Sequence, residues 1–305
     1  MTIKKANQKQ TDLLNFTWEN LLEYFQSIGE PAYRAKQIFR WMYHEHETDF
    51  SQMSDLSKSL RSRLQEEACV GNLHLERTET SSDGTRKFLF RLHDQSRIET
   101  VIIPDEKRTT LCISSQVGCA LGCTFCYTAA LGPGRNLSLG EYISQYIEAA
   151  RTLPPDQKIT NIVFMGMGEP LVNFDNLIDA LSLFTDDRGI NLGKRRLTVS
   201  TAGLCPQIIA LGEQYPVRLA ISLHATTDEQ RNLLMPINRR YPISMLFKTL
   251  KTYRSITPTH RLPITLEYIL IEDVNDDLTD AHRLAKLARS IEAKVNIIPY
   301  NEHPG

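Results

Sequence analysis

Apolar residues recur every three or four positions over the first fifth of the chain and then give way to short β-like runs. Trp18, Leu21, Leu22 and Phe25 follow the i, i+3, i+4, i+7 spacing of a helix, with Thr17 as N-cap and Gly29 as stop. Ala35, Ile38, Phe39 and Met42 share a face of a second predicted helix, and Leu56, Leu60 and Leu64 a face of a third. Residues 12–75 are read as a small helical domain behind a polar tail of about ten residues. Arg34, Lys36 and Arg40 fall on the second helix. Residues 1–50 carry six basic against seven acidic side chains, so these three read as a solvated face. Lys87–Leu92 and Ile98–Ile103, joined by the turn-forming His93-Asp-Gln-Ser96, predict a β extension over 76–104.

From residue 105 onward, apolar β-rich segments appear at Thr109–Ser114, Thr160–Met165, Arg196–Thr201, Val217–Leu223, Ile264–Ile271 and Lys294–Tyr300. Helical stretches lie between most of them. One opens with the capping box Ser138-Leu-Gly-Glu141, one carries Phe174/Leu177/Ile178/Leu181, and one Leu278/Ala281/Leu284/Ala285/Ala288. Strand–helix alternation predicts an α/β core over 105–305 with a parallel sheet and helices outside it. Six strands leave an open doubly wound sheet and a partial barrel both available.

Composition changes this picture little. With 41% apolar and 23% charged residues and a net charge of −1, the 305-residue chain reads as globular, and its charge balance is silent on nucleic acid. No apolar run approaches the ~18 residues of a membrane helix. The polar N-terminus has no signal core, so the expected location is the cytoplasm. The six cysteines are more telling, because Cys112, Cys119, Cys123 and Cys126 fall close together. In a reducing compartment such clustering reads as metal or redox chemistry rather than bridges. Cys69 and Cys205 stand alone in apolar settings and read as buried small hydrophobes.

Cys119-Ala-Leu-Gly-Cys123-Thr-Phe-Cys126 is a C-x3-C-x2-C run. Three thiolates this close can ligate three irons of a [4Fe–4S] cubane and leave the fourth iron open to a substrate. The competing reading is a zinc site with Cys112 as fourth ligand, which the spacing fits poorly.

The stretch Leu111 to Cys126, with Arg135-Asn-Leu137, closely resembles the RlmN/Cfr family of radical S-adenosylmethionine (SAM) RNA methyltransferases. The likeness continues through Gly166-Met-Gly-Glu-Pro170, Ser200-Thr-Ala-Gly203, Ser222-Leu-His-Ala225 and Ile298-Pro-Tyr-Asn301. It also covers Tyr33-Arg-Ala-Lys-Gln37 and Met53-Ser-Asp-Leu-Ser-Lys58. It is nearer the adenine carbon-2 branch than the carbon-8 branch.

The resemblance implies an incomplete (β/α)6 barrel in which Cys119, Cys123 and Cys126 hold the cluster. One electron from it would cleave SAM to a 5′-deoxyadenosyl radical. It further implies that Gly168, Glu169, Ser200, Ser222, Leu223, His224 and Asn301 contact SAM. Glu99 would be the proton acceptor. Cys112 would resolve a covalent protein–RNA intermediate by attack on sulfur, forming a disulfide with a methyl-carrying cysteine. The implied partners are ribosomal and transfer RNA and a one-electron donor such as flavodoxin or ferredoxin, with a monomeric enzyme.

In the family that methyl-carrying cysteine lies in a segment beyond the Pro-Tyr-Asn motif, whereas no cysteine follows Cys205 here. A fragment is therefore expected, or else SAM cleavage without methyl transfer. Alternatives are a SAM-cleaving enzyme with another acceptor and a non-catalytic RNA-binding remnant holding a structural metal.

Overall fold

The computed structural model describes residues 10–257 and 262–302, so the expected N-terminal tail lies almost wholly outside the described residues. Strand β1 (Thr11–Asp12) leads into helix α1 (Trp18–Ser27), where the Thr17 hydroxyl accepts from the Asn20 amide. Helix α2 (Ala32–Tyr43) and helix α3 (Lys58–Glu67) follow, the latter capped by Ser57. Leu21, Phe25, Ala35, Ile38, Phe39, Met42, Leu60 and Leu64 are all buried, as their spacing requires. Leu56 is buried as well, but from the turn before α3 rather than from the helix. On α2, Lys36 and Arg40 are exposed. Arg34 departs from the solvated reading, since its guanidinium donates to the Asp55 carbonyl and the Gln37 side chain. Strand β2 (Ala68–Cys69) pairs in parallel with β1, leaving Cys69 half-buried rather than buried.

One nine-stranded sheet forms the rest of the scaffold. It contains β3 (His74–Thr80), β4 (Arg86–Arg91), β5 (Arg97–Asp105), β6 (Arg108–Cys112), β7 (Asn161–Phe164), β8 (Leu197–Thr201), β9 (Arg218–Ser222), β10 (Ile264–Leu270) and β11 (Lys294–Pro299). They lie in sequence order, antiparallel from β3 to β6 and parallel from β6 to β11. Between β6 and β7 lie α4 (Tyr127–Ala130) and α5 (Leu139–Arg151). Helix α6 (Phe174–Thr185) precedes β8, and α7 (Cys205–Gln214) precedes β9. Helices α8 (Asp228–Leu234) and α9 (Ile243–Ile256) precede β10, and α10 (Leu278–Ser290) precedes β11.

Strand order decides between the two architectures left open above. A doubly wound sheet reverses its order to place helices on both faces. Here the order never reverses, so right-handed crossovers land on one side and the sheet curls around the other. The result is an incomplete (β/α)6 barrel extended by antiparallel strands. Its convex face is apolar: Ile162, Phe164, Leu197, Val199, Leu219 and Ile221 are buried under the helices. Its concave face is polar, because the opposite positions of paired strands carry Thr198, Ser200, Ser222, Glu267 and Asn296. The apolar core is continuous from Leu21 and Phe25 of the helical unit to Tyr142, Phe164 and Phe184 behind the barrel.

Candidate active site

A cavity of about 240 Å³ opens at the carboxyl ends of β7 to β10. Cys119, Cys123, Cys126, Gly168, Glu169, Ser200, Ser222 and His224 all line it, joined by Met165, Thr201, Met235 and Glu267. Segments spread over more than a hundred residues of sequence thus meet where α/β barrels place ligands.

The turn after β7 is built by close backbone approach. Gly168 has φ +93°, and a Cβ there would lie 2.4 Å from Gln116 Cβ, so only glycine fits. Gln116 reciprocates, since its Oε1 accepts from the Glu169 amide at 2.8 Å. The Glu169 carboxylate is 4% exposed and accepts from the amides of Leu171 (3.1 Å) and Ala202 (2.7 Å). Burial raises its pKa to about 7, and those amides with Thr201 restrain the rise. A buried carboxylate with only neutral donors around it would be completed by a ligand's ammonium group, which SAM carries.

His224 lies two residues past the end of β9 with φ +56°, a region histidine visits more readily than most residues. Its Nδ1 accepts from the Ile269 amide at 3.1 Å, which leaves Nε2 as the protonated nitrogen. Burial, helped by the Arg231 charge, lowers its pKa to about 3, so the ring is neutral. Phe125, between the second and third cluster thiols, packs edge-on against it at 4.7 Å. Arg231, absent from the sequence reading, is fully buried on α8. It donates to the carbonyls of Ala202 (2.7 Å), Ser222 (3.1 Å) and Leu223 (3.1 Å), tying together the ends of β8 and β9. A lone arginine in a polar helix pattern gives no sequence signal of burial.

Burial raises the pKa of Cys123 to about 12, with Cys126 and Cys119 adding to the rise, and raises that of Cys119 as well. The three thiols therefore influence one another across a single cavity wall. Among the described residues, no three His, Cys, Asp or Glu side chains converge as ligands of one ion. A cubane asks for something different, one thiolate on each of three irons. The donor set fits that cluster, and Cys112, which does not line the cavity, supplies no fourth ligand for zinc. Residues Cys119, Cys123 and Cys126 would hold the cluster, and its one iron without a thiolate would be free to bind SAM. All six cysteines are unbridged.

Four expected site residues lie outside the cavity wall. Leu223 is fully buried and contributes backbone, its amide donating to the Glu267 carbonyl. Asn301 is exposed beyond β11. Cys112 ends β6, and burial pushes its thiol up to about 12. Glu99 is half-exposed on β5 and pairs with Lys87 Nζ at 3.2 Å. These last two share the concave face, because Cys112 is in register with Val101 and Glu99 lies two residues before it. Glu99 is also tied to the turns below the cavity. Ser114 Oγ donates to the Glu99 carbonyl (2.6 Å) and accepts from the Met167 amide (2.9 Å). Fully buried Gln145 of α5 accepts from Thr100 Oγ1 and Ser114 N, both at 2.8 Å, and donates to the Ser114 carbonyl. The exit of the cluster loop is pinned by Arg135, bidentate to buried Glu141 (2.7 and 2.8 Å) and bonded to Asp94 of the β4–β5 turn (2.6 Å).

A family model described as "Ribosomal RNA large subunit methyltransferase N-terminal domain" matches residues 11–70, and the "Radical SAM superfamily" model matches residues 113–285. The dual-specificity RNA methyltransferase RlmN of Syntrophotalea carbinolica is 50% identical over 99% of this chain and 80% of its own length. That of Geotalea uraniireducens is 48% identical over 97% of this chain and 84% of its own. The chain belongs to the RlmN family. A crystal structure of a radical SAM methyltransferase from Sphaerobacter thermophilus agrees, with a TM-score of 0.92 at 42% identity, covering 97% of this chain and 86% of that one. Membership makes a [4Fe–4S] cluster and SAM the cofactors of this chain. Among the described residues, no helix is long and apolar enough to cross a membrane.

Proposed function

We propose that this chain is a radical SAM RNA methyltransferase acting on carbon 2 of an adenine in large-subunit ribosomal RNA and in transfer RNA. The observation that carries the reading is the convergence of Cys119, Cys123, Cys126, Gly168, Glu169, Ser200, Ser222 and His224 on one cavity in a chain of RlmN ancestry. When bound, the cluster supplies the electron that splits SAM into methionine and a 5′-deoxyadenosyl radical.

The protein's own groups bind and orient. Glu169 holds the SAM ammonium, and Ser200 and Ser222 offer neutral hydrogen bonds to carboxylate or ribose. Neutral His224 donates through Nε2, and the backbone around Leu223 and Asn301 closes the site. Glu99 accepts the proton of the reaction. Its support is its place on the concave face beside Cys112, and Lys87 keeps a cation next to its carboxylate. Half-buried Cys112 would resolve the protein–RNA intermediate by attacking the sulfur of a methyl-carrying cysteine, forming a disulfide as the carbon–sulfur bond to RNA breaks; no cysteine after Cys205 in this sequence supplies that second sulfur. Residues 12–75 act as an RNA-docking unit, 76–104 as a β extension and 105–305 as the radical SAM core. Flavodoxin or ferredoxin class donors supply the electron, and the enzyme works as a cytoplasmic monomer.

The test is complementation by the native gene in a host whose ribosomal RNA lacks 2-methyladenosine. Restoration of that nucleoside in an RNA digest is expected. Cleavage of SAM with no 2-methyladenosine would overturn the reading in favour of another acceptor.

A further inference from the structure

The concave face has a second polar end. At the opposite mouth of the barrel, a cavity of about 380 Å³ is lined by Arg108, Asn161, Gly193, Arg195, Arg196 and Arg218. These residues stand at the amino ends of β6, β7, β8 and β9. Arg218 pairs in register with Thr198, two positions from Arg196, and Asn161 with Thr110, two positions from Arg108. Arg108, Asn161 and Arg218 therefore project from the same face as Ser200 and Ser222, at its far end, and Arg196 reaches Asn161 from the turn just before β8. Arg218 and Ser222 are four residues apart on one strand, so roughly 13 Å separates the two sites.

Four guanidinium groups meet here against little negative charge. Asp105 pairs with Arg108 at 3.2 Å, on the exposed side. Arg196 spends one donor on the Asn161 amide oxygen at 3.3 Å. Arg218 Nε is buried with no hydrogen-bond partner. Burial and then the charges of Arg196, Arg108 and Arg195 lower the Arg218 pKa. A chain of net charge −1 has no general excess of cations to place there, so the cluster is local. Like-charged, partly desolvated arginines with one anionic partner among them are unfavourable unless a further anion completes them. The planar fork of arginine matches the oxygens of a phosphate group.

We infer that the amino-terminal mouth of the barrel is a phosphate-binding site, distinct from the SAM cavity. Its oxygens would be received by Arg195, Arg196 and Arg218, with Arg108 at the rim. The phosphate could come from the backbone of the RNA substrate or from a free phosphate species. The site itself stands on this geometry alone, and only the RNA source rests on the function proposed above.

The reconstituted holoenzyme is titrated calorimetrically with sodium pyrophosphate at constant ionic strength, alongside Arg195→Ala and Arg218→Met. Saturable binding, weakened roughly tenfold by either change, is expected. Arg195→Ala is an exposed substitution that leaves folding intact, so the test survives if Arg218→Met is unstable. The affinity for a large-subunit ribosomal RNA transcript is then measured against salt. A slope reduced by about 0.7–0.9 per lost contact assigns the site to RNA phosphate. An unchanged slope with retained pyrophosphate binding assigns it to a free phosphate species. Release of 5′-deoxyadenosine should match the parent in both variants, which separates this site from the catalytic reading. Pyrophosphate binding that does not saturate, or that is identical in parent and Arg195→Ala, would overturn the inference.

Discussion

Gln145→Leu removes a buried side chain that joins the β extension to the turns under the cavity. The leucine fits the volume but makes none of the bonds. Three groups lose their partner at once: the Thr100 hydroxyl, the Ser114 amide and the Ser114 carbonyl. The fourth bond, to the Glu141 carbonyl, matters less, because that oxygen lies within α5. Each orphaned buried group costs about 1–3 kcal/mol, and local relaxation trims the sum to roughly 3–5 kcal/mol. In a chain of this size that is a fall in melting temperature of roughly 5–8 °C, read by anaerobic thermal unfolding. SAM affinity should fall as well, since Ser114 Oγ holds the Met167 amide of the turn that carries Glu169. Thr100→Val in the Gln145→Leu background should cost less than Thr100→Val alone, because the hydroxyl has already lost its acceptor. A shift below 3 °C, or strictly additive changes, would refute the network as described.

The remaining predictions concern the site itself. Gly168→Ala forces a side chain into φ +93° and against Gln116. It should cost about 1–2 kcal/mol of conformation and about 1–3 of overpacking, and weaken SAM binding at least tenfold by equilibrium dialysis. Unchanged affinity would contradict it. Glu99→Gln should lower RNA product formation by roughly 10²–10⁴-fold while SAM cleavage and stability stay near the parent values, its ion pair being exposed. Equal loss of both activities would remove Glu99 from the proton step. Stability against pH tests the buried pair in the cluster-free chain. Glu169 rises from 4.5 to about 7, so its folded form keeps a proton and stability falls as pH rises through that window. His224 falls from 6.5 to about 3, so its contribution is lost as pH drops below 6.5. The two slopes, each about 1.4 kcal/mol per pH unit, oppose each other between 4.5 and 6.5. His224→Asn should unmask the Glu169 slope, and identical pH profiles for variant and parent would contradict both assignments.

Much of this architecture is legible in the sequence because one face of each element is buried. The stripes on α1, α2, α6 and α10 and the apolar runs of β6 to β10 announce themselves by period. Strand β3 does not, since His74–Thr80 is polar and exposed on nearly every residue and pairs only as an edge. Barrel closure is likewise invisible to periodicity, because it is a property of strand order. The cluster cysteines stand out by spacing, and Glu169 and His224 only through the resemblance. Gln145, Ser114 and Arg231 stay hidden because a buried, fully bonded polar side chain looks like a surface one when only its type is known. The arginine mouth is hidden for a related reason: its four residues come from three separate segments.

The central claim is that Cys119, Cys123 and Cys126 hold a SAM-cleaving cluster, and anaerobic reconstitution with iron and sulfide tests it most directly. The account predicts a brown protein with about four irons per chain. It should release 5′-deoxyadenosine from SAM on reduction, and Cys119→Ala, Cys123→Ala or Cys126→Ala should each abolish both. Bound zinc without a chromophore, or 5′-deoxyadenosine release that survives loss of any of the three thiols, would contradict it.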